Sequence, residues 1–447
     1  MSARIRDLRP VLHFTPEKGW INDPNGLVYD GKQYHLFAQH NPGDIVWGPM
    51  HWLHAISNDL ISWREVGIAL YPNAAGTIFS GSAVIDKDNT AGFGHGAMVA
   101  VYTHHGESEN QCLAYSIDGV QFEHYQGNPV IQNPGIRDFR DPKVFWYEKG
   151  GCWVMALAAG DCIAFYRSYD LKTWEKTGAF GKKENRYGHV FECPDLFMLT
   201  GPDGREHWVL LTSMVAEPDM GGSRMQYFIG SFHGETFLQD VDAGETLFVD
   251  AGMDNYAGVT FSGTADKVYM GWAASPVYAG RVPAKGYRGQ MTLPRRLKLV
   301  TAKAGLRLAA EPLLAGSNFS MVTDGGTLPT GAFELQIKAE GPFEVTLHND
   351  IGEELRFGLG DDGCIFTDRT KAGETGFDPW YESAMYSITN THRRLEGPFD
   401  LRLILDQTIA ELYADQGTYV NTMLVYPKQA YTHVCIKGQV SVQKASL

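Results

Sequence analysis

The sequence predicts an all-β chain assembled from a repeated four-strand unit, and three observations carry that prediction. Helical periodicity is scarce, short aromatic and β-branched runs alternate with Gly, Asn, Asp and Pro, and two short signatures recur along the chain. The 50 glycines and 21 prolines, spread through 447 residues, supply the turns such a chain needs. Residues 26–37 show one hairpin in miniature, two apolar runs joined at Asp30-Gly31.

The first signature, Ser-x-Asp followed by an aromatic residue, ends an element at residues 57–63, 116–122 and 168–174. The second opens an element with a polar residue and then an apolar run, and it begins at Asp23, Ser80, Asp141, Glu192 and Asp254. Those starts lie 57, 61, 51 and 62 residues apart, room for four short strands each. Five such units predict a five-bladed β-propeller over residues 1–300, with one large β-sandwich as the competing arrangement. The second signature then stops. A linker is expected over 301–328, where Gly325-Gly326 lies, followed by a β-sandwich over 329–447. Alternating runs at 333–338, 343–348, 401–405 and 410–413 support that second domain.

Composition narrows the function. With 44% hydrophobic and 12% aromatic side chains the chain builds a large core rather than a disordered one. Its formal charge of −14 carries no basic stripe, so neither nucleic acid nor a membrane surface is expected as a partner. A neutral small molecule fits best. Six cysteines without a C-x-x-C pair read as unpaired thiols of a reducing compartment. Residues 1–10 are charged and lack the apolar stretch of a secretory leader, and the apolar run 152–166 is broken by Gly160 and Asp161. A cytoplasmic protein is the expectation.

In a propeller the innermost strands line one axial channel, so residues at like places in the repeat converge. Asp23, Asp141 and Glu192 open units one, three and four. Carboxyl groups sharing a funnel repel one another and raise at least one pKa. A proton donor then stands beside an ionised carboxylate, the pair that cleavage of a glycosidic bond requires. Trp20, Asn22, Gln39, Trp47 and Arg140 flank the acids, offering aromatic faces to sugar rings and amide or guanidinium groups to hydroxyls. A lone Asp-Pro more often caps a turn; three acids opening repeat units define a site. Metal binding is the competing use of such acids. No second carboxylate follows at ligand-loop spacing, so neither a metal nor another cofactor is expected.

The blocks Trp20-Ile21-Asn22-Asp23-Pro24-Asn25-Gly26, Phe79-Ser80-Gly81-Ser82, Phe139-Arg140-Asp141-Pro142 and Phe191-Glu192-Cys193-Pro194-Asp195 resemble the signatures of glycoside hydrolase family 32. The resemblance extends to residues 47–52, 254–257, 271–272 and 288–295, and to residues 405–413 of the second domain. It implies that Asp23 is the nucleophile, attacking C2 of a terminal β-linked fructosyl unit. Glu192 would be the general acid and then the base for water, while Asp141 would hold fructose hydroxyls. Reaction would proceed with retention through a covalent fructosyl-enzyme, without a metal. The resemblance further implies that Asn22, Gln39, Trp47, Phe79, Ser80, Arg140 and Trp272 line the fructose subsite, with Asp254 near it. Departures fall on the leaving-group side: Ile21 where Met is common, Ala38 where Tyr is common, and no second Trp after Trp272. Sucrose and short fructo-oligosaccharides are the implied substrates. The alternatives are a sucrose-6-phosphate hydrolase, with Arg281, Lys285 or Arg288 meeting the phosphate, a fructosyltransferase, and a non-catalytic fructan-binding propeller. Pairing of two copies through the sandwich is left open.

Overall fold

The structure, a computed structural model, describes residues 9–181, 183–185, 187–240 and 244–447; residues 1–8, which carry most of the charged N-terminal run, lie outside them. Five antiparallel sheets follow one another along the chain, opened by strands Gly19–Tyr29, Thr77–Asp86, Phe139–Tyr147, Val190–Thr200 and Tyr256–Thr260. Each opening strand lies against the next, and the fifth lies against the first, which closes the ring around an axis. A two-residue strand, Tyr287–Arg288, pairs in parallel with Gly19 and Trp20 and ties the fifth blade to the first. The predicted five-bladed propeller is therefore what the chain forms.

Its repeat signatures have a local cause. In blade one the Ser57 hydroxyl donates to Asp59, whose carboxylate also accepts the backbone N–H groups of Ile61 and Ser62, while the Trp63 indole donates to the Leu60 carbonyl. Asp118 and Asp170 repeat the turn in blades two and three. Such side chain-to-backbone turns reverse the chain between the third and fourth strands without help from the core. The Asp30-Gly31 hairpin forms as predicted, Gly31 taking a φ of 96°.

The linker needs correction. Strand Gly305–Pro312 pairs along its length with Arg295–Ala302 and is the outer strand of blade five, so residues 301–312 belong to the propeller. The second domain is organised by two long strands, Phe333–His348 and His433–Ser446, which run antiparallel side by side. One half of Phe333–His348 also pairs with Phe399–Asp406 and the other with Glu354–Leu359. Both wings share one apolar core including Leu335, Val345, Phe357, Leu403 and Leu412, which makes the continuous sheet fold over into a sandwich.

A buried polar seam fastens sandwich to propeller. Arg295, fully buried, donates to Asp250 at 3.1 Å and to Thr422 at 2.6 Å and lies 3.1 Å from Glu411. His13 sits 2.9 Å from Asp406 and 3.3 Å from Glu411. Burial alone would drive the His13 proton off, but the hydrogen bonds and charges of Asp406 and Glu411 outweigh it and push the pKa up to about 9. Because that pKa lies above its unfolded value near 6.5, the stabilisation is complete below pH 6.5 and fades as pH rises through 9. His13→Gln should therefore cost about 2–3 kcal/mol near pH 6 and much less near pH 10. Urea unfolding of both proteins across that range measures the difference.

Candidate active site

Near its start every innermost strand slips register by one residue, two residues standing opposite one: at Asn22-Asp23, Phe79-Ser80, Asp141-Pro142, Cys193-Pro194 and Ala257-Gly258. A bulge re-aims side chains and frees backbone groups from the ladder. Here Asp141, Cys193 and Ala257 take φ of 66°, 43° and 53°. Their N–H groups are caught by the preceding blade: Asp141 by Thr103 at 2.9 Å, Cys193 by the Asp141 carboxylate at 2.9 Å, and Ala257 by Ser213 at 3.0 Å. The same bulge thus recurs in all five strands, and in blades three, four and five its freed N–H locks the blade to the one before it.

The three predicted acids meet around Cys193. Its thiol lies 3.6 Å from Asp23 Oδ2 and 3.5 Å from Asp141 Oδ2, and Glu192 precedes it in the chain. By bulge register, however, they are not equivalent: Glu192 is the paired residue before its bulge, Asp141 the first bulged residue and Asp23 the second. Their environments differ accordingly. Asp23 accepts from the Asn22 amide at 2.9 Å and the Ser80 hydroxyl at 2.7 Å, both neutral donors. Glu192 Oε1 accepts from Arg140 at 2.9 Å and Oε2 from the Tyr256 phenol at 2.7 Å. Arg140 is held in turn by Asp138 at 2.9 Å and Glu109 at 3.0 Å.

The electrostatic pressure falls on the two aspartates. Burial, reinforced by the charges of Glu192 and Asp23, pushes Asp141 up to about 7 against the opposing pull of Arg140. Burial also raises Asp23, against the hydrogen bonds from Asn22 and Ser80. The Cys193 thiol, raised by burial and then by its anionic neighbours, stays protonated, which excludes it as a nucleophile. Tyr256 likewise stays a phenol.

Below the acids the channel is closed by Lys143, which donates to the Thr260 carbonyl at 2.6 Å and to Asp195 at 3.2 Å. The site is a blind funnel. Gln39 Nε2 and the Trp272 indole N–H are buried donors with no acceptor among the described residues. Trp20 donates to Asn22 at 2.8 Å and packs edge-on against Trp272. Trp47, 57% exposed, stands edge-on to Phe79, whose ring stacks on His105.

Asp254 does not join this group. It is fully buried in the seam, held by Arg369, by the Tyr278 hydroxyl and by the Leu424 N–H. The fifth blade contributes Tyr256 instead, the residue at the register position of Glu192. Its sequence signal is the small pair Ala257-Gly258, where the bulge requires little side-chain bulk.

A blind propeller funnel that gathers three carboxyl groups, one of them gripped by a guanidinium and a phenol, defines the class as a glycoside hydrolase. Residues 13–312 match the N-terminal domain of glycosyl hydrolases family 32, and residues 311–446 match the family's C-terminal domain. The chain belongs to glycosyl hydrolase family 32. It is 38% identical to a levanase of Bacillus subtilis over 95% of this chain and 67% of that one. It is 36% identical to invertase 2 of Saccharomyces cerevisiae over 93% of this chain and 88% of that one. The crystal structure of exo-inulinase from Aspergillus awamori superposes with a TM-score of 0.88 at 29% identity, covering 100% of this chain and 99% of that one.

The raised Asp141 pKa has a consequence for stability. Its folded value of about 7 lies above the unfolded value of 3.8, so the cost of ionising it in place is absent below pH 4 and complete above pH 7. Asp141→Asn keeps an oxygen for the Cys193 N–H while removing the charge. The variant should gain on the order of 2 kcal/mol at pH 8 and almost nothing at pH 4.5, as measured by thermal melts.

Proposed function

We propose that the protein is a retaining β-fructofuranosidase that releases terminal fructosyl units from sucrose or short fructo-oligosaccharides. The convergence of Asp23 and Glu192 on Cys193 within a blind funnel is the observation that carries this reading. Asp23, held by neutral donors, supplies the carboxylate that attacks C2 as Glu192 gives a proton to the departing oxygen. Glu192 then takes a proton from water, whose oxygen bonds to C2 while the ester to Asp23 breaks. Arg140 and Tyr256 fix the two Glu192 oxygens, and Asp141 accepts hydrogen bonds from fructose hydroxyls as positive charge develops on the ring. Gln39 and Trp272 offer the unmatched donors that hydroxyl oxygens would take up.

An uncharged leaving group is favoured over a phosphorylated one. Arg281 is committed to Asp378 and the Val277 carbonyl, and Arg288 to the carbonyls of Ile45 and Val282. Of the three basic candidates Arg281 is ion-paired and Arg288 spends both terminal nitrogens on backbone carbonyls, which leaves Lys285 as the candidate with neither contact among the described residues. The names of the relatives, a levanase, an invertase and an exo-inulinase, agree with neutral fructosides as donors.

Glu192→Gln and Asp23→Asn should each lower kcat on sucrose by at least about 10³-fold while melting within a few degrees of the parent. Either variant keeping a tenth of the activity would sink the assignment of roles. Early-time NMR of the released sugar should show the β-anomer of fructose first; initial release of the α-anomer would rule out the covalent route. Parallel product analysis with 1-kestose, inulin and levan ranks the donors.

A further inference from the structure

The seam between the domains opens into a second space, a cleft away from the acids. It is a cavity of about 350 Å³ between the blade-four strand Arg224–Phe232, the loop 245–253 and the sandwich strand Ile388–His392. Arg224 and Arg394 both line it. Arg224 donates through Nη2 to the carbonyls of Asp250 and Ala251, at 3.0 and 3.3 Å, and its guanidinium lies 3.7 Å from the centre of the Phe248 ring. Its Nε is buried and meets no acceptor among the described residues. Among the described residues neither arginine has a carboxylate within ion-pairing distance. The one acid on the cavity wall, Glu245, is already held by Arg307 at 2.9 Å.

Two arginines thus line one cleft that offers no unpaired carboxylate among the described residues, in a chain whose formal charge is −14. Arg394 meets the Tyr227 hydroxyl, but the buried Nε of Arg224 has no acceptor among the described residues, and leaving it unmatched is costly unless an anion joins it. The geometry also suits one. Ile388–His392, which lines the cleft, is the outermost strand of its sheet, so alternate backbone N–H groups lie outside the ladder. Planar forked donors together with strand-edge N–H groups match the several oxygens of a tetrahedral oxyanion.

We propose that this cavity is an oxyanion site that takes a phosphate group, either as inorganic phosphate or carried on a sugar. One cation comes from the propeller and the other from the sandwich, so an occupant joins the two domains. The site is independent of the hydrolytic reading, since none of the three acids lines it.

Isothermal titration with inorganic phosphate and with a hexose phosphate, at constant ionic strength in chloride, tests the proposal. The parent should bind one equivalent per chain with a Kd below about 10 mM. Arg394→Gln and Arg224→Met should each weaken binding by about tenfold or more. Arg394→Gln decides the matter if Arg224→Met fails to fold, because it leaves the carbonyl contacts of Arg224 in place. Equal affinity for the two probes assigns the site to free phosphate, and tighter hexose phosphate binding assigns it to a sugar phosphate. Absence of saturable binding by the parent, or unchanged affinity in Arg394→Gln, overturns the proposal. Turnover of fructosides by Arg394→Gln should equal that of the parent, and phosphate binding that persists in Glu192→Gln protein saturated with sucrose excludes binding through the funnel.

Discussion

A bulge in a buried strand sets free a backbone N–H that the interior cannot leave unpaired, and this chain meets that need from the preceding blade. Thr103 of blade two serves Asp141, Asp141 serves Cys193 of blade four, and Ser213 of blade four serves Ala257 of blade five. Each contact fixes the rotation of one blade against the next. Each also fixes where the residues around the bulge point. The Asp141 carboxylate is therefore part of the frame as well as part of the site, and its burial is dictated by the N–H it accepts.

The funnel that results holds more negative than positive charge. Arg140 is the cation among Glu109, Asp138, Asp141 and Glu192, and it contacts three of them directly. Glu192 is thereby tied to blade three through Arg140 and to blade five through Tyr256. Asp23, tied only to neutral donors, feels burial without a compensating cation. Two carboxyl groups near one thiol thus have different partners, a guanidinium and a phenol for one and neutral amide and hydroxyl donors for the other.

Much of this was legible in the sequence, and the failures share one cause. The Ser-x-Asp turns are local devices, so spacing alone revealed the blades. The acids stood out because Asp23, Asp141 and Glu192 each open a repeat. Their assignment to a single position was too simple, since the bulge admits three neighbouring positions and residue type does not say which one is occupied. Asp254, which the family resemblance placed near the subsite, opens the fifth repeat but lies two residues ahead of Tyr256, the residue that reaches Glu192. The linker over 301–328 began too early because strand Gly305–Pro312 lacks the opening signature; it is an outer strand, and only innermost strands carry the signature. Pairing register and the partners of buried charges depend on contacts distant in sequence, which periodicity does not encode.

Asp254 nevertheless bears on the chemistry at one remove. The segment from Asp250 to Asn255 leads directly into Tyr256, and its two acids are anchored by the sandwich: Asp250 accepts the Thr422 N–H, and Asp254 accepts Arg369 and the Leu424 N–H. The sandwich thus holds the approach to the one phenol that reaches Glu192. Buried ion pairs contribute little to net stability when set against apolar replacements, but they are strict about geometry, because an unmatched partner is costly. That strictness gives the second domain a reason to be fused to a propeller that already closes on itself. It places Tyr256, and through Tyr256 the oxygen of Glu192 on the far side from Arg140.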